Sequence, residues 1–283
     1  MLNLLKSILT NTADEPKTPF SNRDRSFPSH DRERAILPSR DCKGAVPREW
    51  AIAGGNSQAV ESHFYDVSSP DGRAANFLIG EVSASGARAA ALVNLIQSAF
   101  RSADQEAAAF ELNRMLYERD RYAAMFWSQF DPETRLLHFI NAGHLPPLLF
   151  KANRRPMLRL DHAGPGLGVS PNATYRQGSV SLDPGDILVI YSDGIVEASD
   201  HSDENFGEDR LITVVELSRN KSVAEIRSRI LSSVQAFAGD PAPATDCTLL
   251  VIRYAPISYN AVTRLSPHYR DNDSAGPSHL GNF

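Results

Sequence analysis

Cysteine is scarce in this chain: Cys42 and Cys247 are the only two among 283 residues. They stand far apart and in no metal-ligand spacing, which excludes a disulfide framework and fits a reducing, cytoplasmic setting. Long apolar runs are lacking too. No stretch approaches the ~18 consecutive apolar residues of a membrane-spanning helix, so no membrane partner is expected. Met1 to Thr10 carries apolar residues at helical spacing, but Asp14, Glu15 and Lys17 follow too soon for a signal peptide. That segment reads as a short frayed helix. Excess positive charge is absent as well: the formal net charge is −5, whereas a nucleic-acid binder usually shows a basic patch. Nor is there a phosphate-binding glycine loop, a dinucleotide fingerprint or a zinc-ligand cluster to support a kinase, a dehydrogenase or a zinc enzyme.

What is present is a hydrophobic fraction of 42%, enough for a sizeable core, at a length that supports one large domain or two small ones. Asn11 to Arg34, rich in Asp, Ser, Pro and Arg, and residues 256–283, with Pro and Gly among Ser, Asn and Asp, have little periodicity, so 1–33 and 256–283 read as flexible segments. The folded domain is therefore expected over residues 34–255. Within it, Trp50–Ala53, His63–Ser68 and Ala75–Val82 read as strands, the last two joined by a turn through Pro70-Asp71-Gly72. Gly86–Phe100 is a helix with an apolar stripe at Ala89, Leu92, Val93, Ile96 and Phe100. Ala103–Arg119 is a second helix, with Ala109, Leu112 and Leu116 inward. Strands return at Ala123–Phe130, Arg135–Asn141, Leu148–Lys151, Met157–Leu160 and Tyr175–Leu182. Two more helices, Glu208–Ser218 and Ser222–Phe237, precede a last strand at Cys247–Tyr254. Strands joined by tight hairpins, with helices in pairs, imply an antiparallel α+β layered fold.

One stretch organises the rest: Asp186-Ile187-Leu188-Val189-Ile190-Tyr191-Ser192-Asp193-Gly194. An apolar, β-branched run bounded by Pro184-Gly185 and Gly194 reads as a buried strand. Desolvating an unpaired charge costs several kcal/mol or more, so Asp193 is expected at the sheet rim, in an Asx turn or facing a metal or polar ligand.

These residues belong to an ordered set: Phe64-Tyr65-Asp66-Val67, Gly80-Glu81-Val82-Ser83 with Gly86, Asn141-Ala142-Gly143-His144 with Pro146-Pro147, Leu182-Asp183-Pro184-Gly185-Asp186, Tyr191-Ser192-Asp193-Gly194, Phe206-Gly207-Glu208-Asp209-Arg210-Leu211 and Asp246-Cys247-Thr248. Together they resemble the metal-dependent protein phosphatases of the PPM (type 2C) superfamily. The branch is the bacterial one typified by stage II sporulation protein E and the RsbU-like regulators of sigma factors. The resemblance covers residues 34 to 254. It implies a four-layer αββα sandwich of two antiparallel sheets flanked by helices. It also implies two manganese or magnesium ions that activate a water for attack on phosphoserine or phosphothreonine, clamped as two-metal sites do.

The family's metal ligands map onto four places. His63 stands where the first motif has an aspartate. Glu81 replaces the bridging aspartate, one methylene longer, and Val82 follows it at the position that lends a backbone carbonyl. Asp193 is intact. Thr245 replaces the acid of the last motif, beside Asp246, which would have to rotate in although adjacent strand residues face opposite ways. Losing two acids lowers the site's charge by about two and weakens its pull on a pair of divalent ions.

Two readings of different class stay open. One is a working phosphatase with a remodelled site, in which His63, Glu81 and Asp193 hold one ion of manganese, iron or zinc. The other is a pseudophosphatase that keeps the fold as a protein-binding module. By resemblance the partner is a phosphorylated antagonist of an anti-sigma factor or another signalling protein, and a homodimer is compatible. Asp193 and Glu81 are the expected catalytic acids. His144 reads as part of a structural turn, Ser192 as an orienting neighbour of Asp193, and Asp66 and Glu197 as locally paired. Arg88, early in the first long helix, is either a phosphate contact or part of a solvated face.

Overall fold

The computed structural model describes residues 49–54, 63–69, 74–101, 104–153, 156–161, 163–239 and 247–255. The expected N-terminal helix and both terminal segments, Thr245 and Asp246, and the Pro70-Asp71-Gly72 turn lie outside the described residues.

Alternation of side chains along the strands dictates the layering. In strand β3 (Ala75–Val82), Phe77 and Ile79 point to one face while Leu78 and Val82 point to the other, as the period of two requires. Both faces are apolar because both are covered. β3 sits in a sheet ordered β2 (His63–Ser68), β3, β4 (Ala123–Asp131), β5 (Leu136–Ala142), β8 (Ala163–Gly164), with β9 (Gly178–Ser181) also on β5. The second sheet runs β1 (Glu49–Gly54), β11 (Thr248–Arg253), β10 (Ile187–Tyr191), β6 (Leu148–Phe150), β7 (Leu158–Arg159). The pairs are antiparallel except β5 with β8, which is parallel.

Three apolar clusters fill the gaps between four layers. Phe64, Leu78, Met125, Trp127 and Ile140 pack under helices α1 (Gly86–Ala99) and α2 (Gln105–Tyr117). Phe77, Phe126, Phe139, Leu188, Ile190 and Leu250 join sheet to sheet. Phe150, Val189 and Val251 meet helices α4 (Gly207–Ser218) and α5 (Val223–Ala238) through Leu211, Val215, Ile226, Ile230 and Val234. The expected αββα sandwich is what forms.

Local chemistry sets the helix ends. Asp104 caps α2 by accepting from the Ala107 amide at 2.9 Å. Ser222 and Glu225 form a reciprocal capping box that opens α5. On α1, Leu95 is buried alongside Ala89, Leu92 and Ile96, while Val93 is only half-buried. Phe100 is buried too, so the inward stripe keeps four of the five expected residues and takes Leu95 in place of Val93. Between β9 and β10, the buried Asp186 accepts from the amides of Ala152 at 2.7 Å and Asp183 at 2.8 Å and pairs with the buried Lys151. Lys151 also reaches Asp183 at 3.1 Å and the Ser181 carbonyl at 3.0 Å.

Two expectations need correction. Tyr175 is not a ladder residue: its hydroxyl donates to Asn113 Oδ1 at 3.0 Å, drawing it into the helix-side core, so β9 starts only at Gly178. Asp193 does not end a strand; it opens a one-turn helix, α3 (Asp193–Val196), whose capping position is Ser192.

Candidate metal centre

The β2–β3 ladder places His63 directly opposite Glu81. Cross-strand partners share a face of the sheet and stand close together, so their side chains converge without help from any loop. On its other side β3 lies close against β4 at Gly80: a Cβ there would lie 2.4 Å from the Ala124 carbonyl oxygen and 2.8 Å from Met125 Cβ. No other residue type lets β3 lie so close at the position before Glu81.

Asp193 arrives from the other sheet. As β10 ends, the Ser192 amide donates to the Thr248 carbonyl at 2.9 Å, and the Thr248 amide donates to Ser192 Oγ at 2.8 Å. This two-way clasp fixes the strand end. The chain then turns into α3, and Asp193 Oδ1 accepts from the Gly194 amide at 2.8 Å. Ser192 therefore does orient Asp193, through the backbone.

The three side chains meet. His63 Nε2 lies 3.4 Å from Glu81 Oε2 and 3.9 Å from Asp193 Oδ1. One ligand atom from each falls within 4.8 Å of the others. The imidazole is 18% exposed, whereas Glu81 and Asp193 are 44% and 48% exposed, so the cluster is open to solvent on the acidic side. Desolvation raises the pKa of Glu81, the negative charges of Asp193 and Glu197 raise it further, and His63 opposes them. Asp193 is held below the usual carboxylate range first by the His63 side chain and also by the Gly194 amide, with partial burial opposing.

Around this centre, the Val82 carbonyl accepts from the Ala84 amide at 2.9 Å. Asp66 pairs with Arg101 at 3.4 Å, as expected of a locally paired acid. Glu197 instead contributes its field to Glu81; its place four residues after Asp193, on the turn that α3 makes, is the signal that brings it there. His144 sits in a turn whose form Asn141 fixes by accepting from the His144 amide at 2.9 Å. Its ring Nδ1 lies 2.8 Å from the Leu145 carbonyl. Burial lowers its pKa to about 4. Gly143, at φ +75°, lies so close to Gly166 that a Cβ would come within 2.7 Å of that backbone.

One imidazole nitrogen and two carboxylates make a donor set suited to a single divalent cation. A pair of magnesium or manganese ions asks for oxygen donors around both. Among the described residues the ligand atoms that cluster are those of His63, Glu81 and Asp193, a set that fits one ion.

Residues 71–255 match the family described as stage II sporulation protein E. Among curated proteins, the chain is similar to Protein IcfG of Synechocystis sp., at 35% identity over 91 residues covering 32% of this chain and 14% of that one. It is also similar to the phosphoserine phosphatase RsbU of Bacillus subtilis, at 25% identity over 135 residues covering 45% of this chain and 40% of that one. The chain thus spans well under half the length of either relative. Two solved structures share the fold. The SiaA-PP2C domain of Pseudomonas aeruginosa superposes with a TM-score of 0.61 at 16% identity, covering 72% of this chain and 85% of that one. The PP2C domain of SpoIIE from Bacillus subtilis gives 0.59 at 20% identity, covering 72% and 62%. With the family matched across most of the described residues and the fold shared with its solved members, the chain belongs to the stage II sporulation protein E family of PP2C-type phosphatase domains.

Proposed function

We propose that this domain, over residues 34–255, removes phosphate from serine or threonine of a regulatory protein in a bacterial circuit that controls a sigma factor, with the two-metal turnover of its family weakened or lost. The convergence of His63, Glu81 and Asp193 within 4.8 Å carries this reading, because it keeps a cation-binding corner at the motif positions despite the substitutions. Asp193 and Glu81 are its catalytic acids. His63 and the Val82 carbonyl complete the first set of ligands, and Asp246 is a further candidate. Manganese or magnesium is the family expectation, and neighbouring structures support it: RsbX was solved with magnesium and the phosphatase PstP with two manganese ions. A bound divalent ion supplies a polarised water and positive charge for the phosphoryl oxygens.

The protein's own groups do the rest. Glu81, with its raised pKa, holds a proton more readily than an ordinary carboxyl. Asp193, with its lowered pKa, stays charged and keeps its orientation through the Gly194 amide. Signalling partners are supported by the kinship with RsbU and by shared folds with the RsbU and RsbW domains of Rv1364c from Mycobacterium tuberculosis and with a protein of the bacterial stressosome. The specific partner in this reading is a phosphorylated antagonist of an anti-sigma factor, met in the cytoplasm by a domain able to form homodimers. No helix among the described residues is long and apolar enough to cross a membrane.

The test is hydrolysis of a phosphoserine peptide and of a generic aryl phosphate in manganese, beside Asp193→Asn. Slow, metal-dependent turnover lost in the variant is the expected outcome. Identical traces for the two proteins up to millimolar metal would overturn it.

A second reading is favoured by one observation. His63 Nε2 stands 3.4 Å from Glu81 Oε2 and 3.9 Å from Asp193 Oδ1, so ring and carboxylates can pair with one another in place of a metal. In that reading the domain binds its phosphorylated partner and does not turn it over. Binding that persists in Asp193→Asn, together with no hydrolysis by either protein, is its signature.

A further inference from the structure

We propose that the corner formed by His63, Glu81 and Asp193 takes one borderline divalent cation of the zinc or cobalt kind in preference to magnesium, and that His63 sets this choice. The inference rests on the reading of this corner as the metal centre, and goes beyond it in naming the preference among ions and the residue that sets it.

Donor type is the first argument. Imidazole nitrogen suits zinc, cobalt, nickel and copper, whereas magnesium keeps to oxygen ligands and dehydrates reluctantly. A family corner built from carboxylates would serve the hard ions. Substituting one acid by His63 moves the set toward the borderline ones.

Spacing is the second. With bonds of roughly 2.0–2.1 Å, a tetrahedral zinc site puts its ligand atoms about 3.3 Å apart. The separation of His63 Nε2 from Glu81 Oε2 is 3.4 Å, and that of His63 Nε2 from Asp193 Oδ1 is 3.9 Å. A magnesium octahedron at the same bond length asks for cis ligands about 2.9 Å apart and trans ligands about 4.1 Å apart, so the 3.4 Å pair of His63 and Glu81 matches neither and would have to close further. Closing is resisted on one side, because His63 and Glu81 are fixed as ladder partners on β2 and β3. Asp193 is the adjustable member: it sits at the first residue of a one-turn helix and is nearly half exposed.

Openness is the third. Three protein ligands with one solvent-facing side match the zinc sites that keep a position for water or substrate, in contrast to the closed four-ligand structural ones. The acidic side of this cluster is that open face. The three ligand atoms all lie within 4.8 Å of one another, a spread that closes around a single ion.

The experiment is calorimetric titration of the full 283-residue chain, stripped by chelator, with zinc, cobalt and magnesium chlorides in separate runs. His63→Asp and Asp193→Asn are run alongside, each shown by circular dichroism to be folded without metal. The expected result is one zinc per chain, bound about 100-fold more tightly than magnesium, with cobalt giving the intense visible absorption of a tetrahedral site. His63→Asp narrows the zinc-to-magnesium ratio by about tenfold or more, and Asp193→Asn abolishes zinc uptake. Magnesium binding as tight as zinc, two ions per chain, an unchanged ratio in His63→Asp, or zinc uptake that survives Asp193→Asn would each overturn the proposal. Zinc bound one to one without hydrolysis would defeat the phosphatase reading and leave this one standing.

Discussion

Lys151 is the residue whose removal should do most harm outside the site. Its ammonium is 9% exposed and faces the 1%-exposed Asp186 carboxylate, with Asp183 on its flank. Burial alone would lower its pKa, but the hydrogen bonds and charges of Asp186 and Asp183 outweigh that and raise it. Breaking a buried pair leaves a charge uncompensated, which costs about 3–5 kcal/mol. Lys151→Ala should therefore lower unfolding stability by roughly 3 kcal/mol in a urea titration, and adding Asp186→Asn should recover part of the loss. A single-mutant loss below about 1 kcal/mol would show that water reaches the pair. The sequence holds no sign of this lysine's role. Lys151 follows a three-residue strand and lies 35 positions from Asp186, so only the folded sheet brings the two together. The candidate site residues could be named for the opposite reason, since the family resemblance, motif by motif, marks His63, Glu81, Val82 and Asp193 one by one.

At the level of elements, strands and long helices followed from pattern, and β2 and β3 have the boundaries that alternation and turn residues suggest. Short pieces did not. β8 is two residues long and α3 four, too brief for any period to register, and each exists because a neighbouring strand or the Ser192 clasp holds it. The contact between β3 and β4 offers a direct test. Gly80→Ala sets a methyl 2.4 Å from the Ala124 carbonyl oxygen, so β3 must move. Overpacking of this kind costs about 1–3 kcal/mol. Because Glu81 is the next residue, the variant should lose metal affinity as well as thermal stability. Unchanged metal binding in Gly80→Ala would separate the strand's seat from the centre.

For the whole molecule, acid is the informative stress. His144 has a pKa lowered from 6.5 to about 4, chiefly by desolvation. Between those values the unfolded chain binds a proton that the folded chain refuses, so stability falls as pH drops through the window. Asp193, whose pKa is depressed, acts in the same direction at lower pH, whereas the raised Glu81 gains relative stability on protonation and opposes them. The unfolding free energy from urea titrations should thus fall from pH 7 to pH 5, by on the order of 2 kcal/mol from His144. His144→Gln should flatten that slope. A variant with the full wild-type slope would remove His144 from the account.

The reciprocal hydrogen bonds between Ser192 and Thr248 carry one more consequence. They fasten the end of β10 to the start of β11 through backbone amides, a backbone carbonyl and one hydroxyl, using none of the acids that give the corner its charge. Frame and fitting are therefore held by different groups: exchanging His63, Glu81 or Asp193 changes the charge of the corner and its choice of ion, while the clasp that fastens the two strands stays as it is.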